Sequence, residues 1–195
     1  MNTERHEPYK NKWIILITIL LLTFMSTLDG SIVNVALPTM AKELSVNTQS
    51  ISWVVSAYLI GICTVILAFG KLGDLKGKMK IFKIGVFSFT VGSLMCGLSP
   101  TLPILIISRI LQALGAAASM ATSQGIITEA FPKNERGRAL GLNGTFVALG
   151  SMAGAPLGGL LISIFSWNYI FLINIPIGII AFIFCEKFLP KEHVK

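Results

Sequence analysis

Apolar and polar residues alternate on a long scale, giving six extended apolar runs separated by short polar breaks. A membrane-crossing helix needs roughly 20 apolar residues. The pattern predicts spans over 13–37, 51–69, 81–98, 102–127, 139–165 and 169–189. The breaks are chemically marked. Residues 38–50 read as a polar outer loop and 70–80 as a charged, Gly-rich inner loop. Ser99-Pro100-Thr101-Leu102-Pro103 reads as a tight outer turn, and 131–136 as an inner loop. The uncharged run 139–185 is too long for one crossing, and Ser166-Trp167-Asn168 splits it. Only helices satisfy their own backbone polar groups span by span in hydrocarbon. The fold class expected is an all-α membrane protein of six transmembrane helices. It comprises a tail (1–12), a bundle (13–189) and a second tail (190–195).

Composition agrees with this reading. Charged residues make up 13% of the chain, against about 25% in soluble domains. The net charge of +7 could suggest a nucleic-acid binder, but the placement of the charges argues otherwise. Of the 16 Lys and Arg residues, 14 fall near the two chain ends (1–12 and 187–195) and in the 70–83 and 131–138 segments. Lys42 stands alone on the other side and Arg109 lies inside a span. That asymmetry is the positive-inside pattern and places both termini in the cytoplasm. The basic segments are expected to meet anionic lipid head groups generically. Basic residues before an apolar run resemble a signal peptide, yet the run is too long for one and more spans follow. A first helix that stays in place is the better reading.

The candidate chemistry sits where charge interrupts apolar sequence. Asp29 lies within the first span and Arg109 within the fourth. A charge at such depth costs several kcal/mol, so it usually faces a bundle interior or a water-filled cavity. Counted from the expected outer ends, both lie roughly 9–12 Å deep. Matched depth suggests an ion pair, or two groups sharing one aqueous cavity. Gly150, Gly154 and Gly158 line one face of the fifth span, where small residues let helices approach closely. Pro156 among them is expected to kink or loosen the helix. Cys63, Cys96 and Cys185 lack metal or redox spacing and are expected to be packing residues. No nucleophile–base set or metal cluster appears in the sequence, so an enzyme has little support.

Several stretches together resemble the fourteen-helix drug:proton antiporter branch of the major facilitator superfamily, as its N-terminal six-helix half. They are Leu28-Asp29 through Leu37-Pro38, Trp53-Val54-Val55-Ser56-Ala57-Tyr58-Leu59, and Gly70-Lys71-Leu72-Gly73-Asp74-Leu75-Lys76-Gly77-Lys78. To these are added Arg109-Ile110-Leu111-Gln112-Ala113-Leu114-Gly115, the segment from Gly150 to Gly159, and Phe171-Leu172-Ile173-Asn174-Ile175-Pro176-Ile177-Gly178. Three positions depart from the pattern. Leu75 stands where a basic residue is frequent, Ala155 separates Gly154 from Pro156, and Asn168 follows Trp167 where Arg is common.

The resemblance implies proton-driven export of small hydrophobic or cationic molecules, with the proton gradient as energy source and no cofactor, in a bacterial cytoplasmic membrane. Asp29 and Arg109 would couple proton and substrate, since burial and a nearby cation move a carboxyl's proton affinity in opposite directions. Asn34, Trp53, Tyr58, Gln112 and Phe146 are weaker cavity-lining candidates; membrane aromatics are more often packing or interface anchors. Gly70, Gly73, Asp74, Gly77, Lys78, Arg136 and Arg138 are expected at an inner gate. There Asp74 would pair with a helix N-terminus, Arg136 or Arg138, or simply cap a helix. Gly150, Gly154, Pro156, Gly158 and Gly159 would form the antiporter motif, packing alone being the alternative for the glycines. Substrate sites of this family form between two halves, so a C-terminal partner half is expected. Two other readings are a half that assembles with or regulates a full transporter, and an importer of the same superfamily.

Overall fold

A computed structural model describes residues 11–188. Among them eight helices follow in order: α1 (Lys12–Glu43), α2 (Thr48–Ile51), α3 (Trp53–Lys76), α4 (Lys78–Gly97), α5 (Leu102–Ala130), α6 (Lys133–Ile164), α7 (Tyr169–Leu172) and α8 (Asn174–Phe188). The short α2 and α7 lead into α3 and α8, giving six elements long and apolar enough to cross a membrane. The protein is therefore a multi-pass membrane protein. The two predicted tails, apart from Asn11 and Lys12, lie outside the described residues.

The expected helix ends need correction. Pro38, expected to open the outer loop, lies inside α1, which continues to Glu43. Gly70 and Gly73, expected in a loop, are helical residues of α3. The 70–80 break shrinks to Gly77 alone, whose φ of 98° only glycine adopts without strain. Arg136 and Arg138 likewise belong to α6 rather than to a loop. The physical reason is length. A 32-residue helix is about 48 Å long, well beyond a hydrocarbon core of about 30 Å. Its ends stand in the polar region, where charge marks the membrane boundary without ending the helix.

Packing depends on small residues, because lipid gives helices no hydrophobic reason to associate. Gly150, Gly154 and Gly158, with Ala139, are the buried positions of α6. A Cβ on Gly154 would lie 2.9 Å from the Ile32 amide nitrogen of α1, and one on Gly158 2.9 Å from Ile32 Cγ1. Gly159 does not share this face: a Cβ there would meet nothing within 4 Å. Pro156 sits within an unbroken α6. Between α4 and α5, a Cβ on Gly115 would lie 2.7 Å from Gly85 O.

Two apolar clusters fill the bundle. One, toward the end bearing the termini, includes Ile15, Ile19, Phe82, Phe89 and Ile127. The other, toward the opposite end, includes Ile32, Val54, Leu105 and Phe171. α1 and α5 are central; α3 and α6 are the least covered, with 22% and 17% of their apolar windows buried. Cys96 and Cys185 are buried as expected, but Cys63 is exposed.

Candidate functional site

Between the two apolar clusters lies a polar knot built from five helices. Arg109 of α5 donates from Nη1 to Asp29 Oδ2 of α1 at 2.5 Å and to Gln112 Oε1 at 2.6 Å. Its Nε donates to the Val54 carbonyl of α3 at 3.2 Å. Gln112 Nε2 donates to Asp29 Oδ1 at 3.0 Å and to Ser93 Oγ of α4 at 2.8 Å. From α8, Asn174 Nδ2 donates to Asp29 Oδ1 at 2.9 Å. The guanidinium carbon lies 4.1 Å from the Tyr58 ring centroid and 5.5 Å from that of Phe171. The cation thus meets acceptors along its N–H edge and aromatic rings beside it, which suits a desolvated arginine.

Asp29 and Arg109 are each 0% exposed. Neither lies on the uncovered face of the bundle: both face its interior, one of the two settings expected for a charge at this depth. Counted along α1, Asp29 is about 21 Å from the far end, whereas Arg109 is about 10 Å from the start of α5. They meet because α1 overshoots Pro38, not because both helices end at one level. Two buried atoms of the knot, Arg109 Nη2 and Asn174 Oδ1, have no hydrogen-bond partner among the described residues. Most buried polar atoms are paired, so these two mark where the knot retains bonding capacity.

The cavity-lining candidates separate into three groups. Tyr58 and Gln112 are buried in the knot, and Tyr58 Oη also reaches the Ser26 carbonyl at 3.5 Å. Trp53 is 55% exposed and lines an apolar groove of about 390 Å³ with Ala57, Ile60, Gly61, Ile106 and Ile110. Asn34 is exposed and its Nδ2 returns to the Gly30 carbonyl at 3.0 Å. Phe146 packs edge-on to Phe24, centroids 6.5 Å apart. Sequence reasoning missed Ser93 and the Val54 carbonyl, and it quoted Asn174 without giving it a role. A lone carboxamide within the apolar run 169–185 was the available signal for Asn174.

A second charged cluster sits at the end bearing the termini. Lys78 Nζ lies 3.1 Å from Asp74 Oδ1 and 2.7 Å from Glu129 Oε1, joining α3, α4 and α5. Asp74 therefore pairs with Lys78, not with Arg136 or Arg138, and caps no helix: Gly77 precedes α4. Arg136 Nε instead donates to the Phe131 carbonyl at 3.0 Å, and Arg138 lies over Trp13 at 5.7 Å. Lys12 pairs with Glu135 at 2.5 Å, tying the start of α1 to α6. Because these pairs are partly exposed, each contributes at most about 1 kcal/mol.

The model of the Major Facilitator Superfamily matches residues 19–195. The chain belongs to this superfamily. The riboflavin transporter RibZ of Clostridioides difficile (strain 630) is 50% identical over 182 residues, covering 93% of this chain and 40% of that protein. The multidrug resistance protein Stp of Mycobacterium tuberculosis (strain ATCC 25618 / H37Rv) is 40% identical over 156 residues, 80% of this chain and 29% of that protein. Among solved structures, the inward-open xylose transporter XylE of E. coli superposes with a TM-score of 0.80 at 15% identity, over 93% of this chain and 49% of that one. That likeness shows the fold, a superfamily six-helix half. The chain spans about 40% of the length of RibZ.

Proposed function

We propose that this chain supplies the N-terminal half of a proton-coupled small-molecule efflux transporter in the cytoplasmic membrane, with both termini inside. The observation that carries the reading is the buried Asp29–Arg109 pair. Protonating Asp29 removes the charge that holds Arg109 and turns a carboxylate oxygen into a donor. Asn174 Oδ1, buried without a donor, accepts a hydrogen bond from the protonated carboxyl once its carboxamide rotates. Arg109 then relies on Gln112 Oε1 and the Val54 carbonyl, both already in place. One proton thus changes the bonds linking α1, α5 and α8. The uncovered faces of α3 and α6 suit a second bundle, against which this one would rock to give alternating access. Multidrug relatives such as Stp support hydrophobic or cationic cargo.

A second reading, favoured by the 50% identity to RibZ, is transport of a vitamin such as riboflavin, including import. Two assays separate them. An efflux-deficient bacterial strain expressing this half with a matching C-terminal half should gain resistance to cationic dyes and release protons inward during export. A riboflavin auxotroph rescued at low riboflavin, with no dye resistance, would replace the first reading by the second. The chain expressed alone should give neither phenotype. Substrate uptake into proteoliposomes by the purified chain alone would overturn the assignment as a half.

A further inference from the structure

A groove of about 320 Å³ opens between α4 and α8, remote from the polar knot and near the end bearing the termini. It is lined by Lys80, Lys83, Ile84, Phe87, Phe182 and Glu186. Their order along the helices is informative. Lys80 and Lys83 fall in the first two turns of α4 and Glu186 in the last turn of α8, at the mouth. One turn deeper the lining becomes apolar, with Ile84, Phe87 and Phe182, and the two aromatic rings are 5.8 Å apart. Ile84 and Phe87 are exposed, so the apolar wall faces hydrocarbon. Two cations over an aromatic slot repeat the order of a phospholipid, phosphate first and acyl chain below.

We propose that this groove binds an anionic phospholipid of the leaflet at the basic end of the protein. Three charges face the mouth: Lys80, Lys83 and Glu186, for a net positive site. Lys83 Nζ lies 3.3 Å from Glu186 Oε1 with its side chain 20% exposed, so its ammonium is held at the mouth rather than free in solvent. Lys80 is exposed and carries a full charge at head-group level. The α4 N-terminus adds a partial positive charge on the same side. Basic pockets between membrane helices on the cytoplasmic side bind anionic head groups, and each lysine near the surface contributes about fivefold in affinity. The site differs from the general attraction of the basic segments, because it has a defined apolar floor.

The test uses the purified chain in dodecyl maltoside micelles, with melting temperature followed as POPG, POPC or inorganic phosphate is titrated in. POPG should raise the melting temperature saturably, and POPC and phosphate should not. Lys80→Gln/Lys83→Gln should raise the half-saturating POPG concentration about thirtyfold. Glu186→Gln removes the competing carboxylate and should lower it about fivefold. Equal responses to POPG and POPC overturn the proposal, as does a POPG response unchanged in both variants. A response to phosphate equal to that of POPG would assign the mouth to a soluble anion and overturn the lipid. Should the double variant fail to fold, Glu186→Gln and the POPG–POPC comparison still decide.

Discussion

Asn174 and Asp29, 145 residues apart in sequence, meet at 2.9 Å with the carboxamide donating to the carboxylate. That bond closes the bundle, because it brings the last helix onto the first through a charged atom. Asn174→Leu leaves Asp29 short of one donor in a buried site and should cost about 1–3 kcal/mol. Asn174→Gln, which keeps the amide but lengthens the arm, should recover part of it. Melting curves of the two variants in detergent check this; equal melting of Asn174→Leu and wild type would refute it.

Breaking the buried ion pair from one side should be severe. Arg109→Leu or Asp29→Leu leaves an uncompensated buried charge, worth about 3–5 kcal/mol. Removing both with Asp29→Leu/Arg109→Leu should restore much of the lost stability while leaving proton coupling abolished in a complete transporter. Membrane abundance and proton flux, measured together, read the two effects separately. A double variant less stable than either single one would contradict the pairing.

Glycines of α6 should respond by face. Gly154→Leu drives a side chain into Ser31 and Ile32 of α1 and should cost about 1–3 kcal/mol or separate the helices. Gly159→Leu, with open space around it, should cost less than about 0.5 kcal/mol. Thermal melting of both distinguishes packing from a general intolerance of bulk.

The α3–α4 junction makes a similar contrast. Gly77→Ala forces a side chain into left-handed backbone, at about 1–2 kcal/mol. Gly70→Ala, helical and unhindered, should stabilise by about 0.5–1 kcal/mol. Opposite signs in the same melting assay are the expected outcome.

The topology reading is checked by cysteine labelling in a variant lacking Cys63, Cys96 and Cys185. Gln49→Cys should react with an impermeant thiol reagent added outside intact cells. Asn134→Cys should react only after permeabilisation. The reverse pattern would invert the protein in the membrane.

The sequence was most legible where its signals are coarse. Six spans follow from apolar length, and Asp29 and Arg109 stand out because a charge in hydrocarbon is rare. Neutral polar residues carry no such signal. Asn174 and Ser93 each interrupt an apolar run by one residue, and only three-dimensional packing shows that both reach the same knot. Helix ends were misread at Pro38, Gly70 and Gly73 for a related reason. Hydropathy locates the edge of the hydrocarbon, whereas backbone hydrogen bonding locates the end of the helix, and here the helices project beyond it. Asp74 illustrates the limit for charges. Several basic residues crowd that end, and the choice of Lys78 over Arg136 or Arg138 depends on the one-residue turn at Gly77.

The knot around Asp29 draws bonds from α1, α3, α4, α5 and α8 into one point inside the bundle. In mechanical terms it acts as a rivet through five plates. With the rivet intact, no helix among these five slides along another at that level without breaking a buried bond. Large motions must therefore carry the bundle as one piece or begin with the rivet loosened. Whether that one buried ion pair is intact would then decide whether the assembly is stiff or compliant, independently of any substrate.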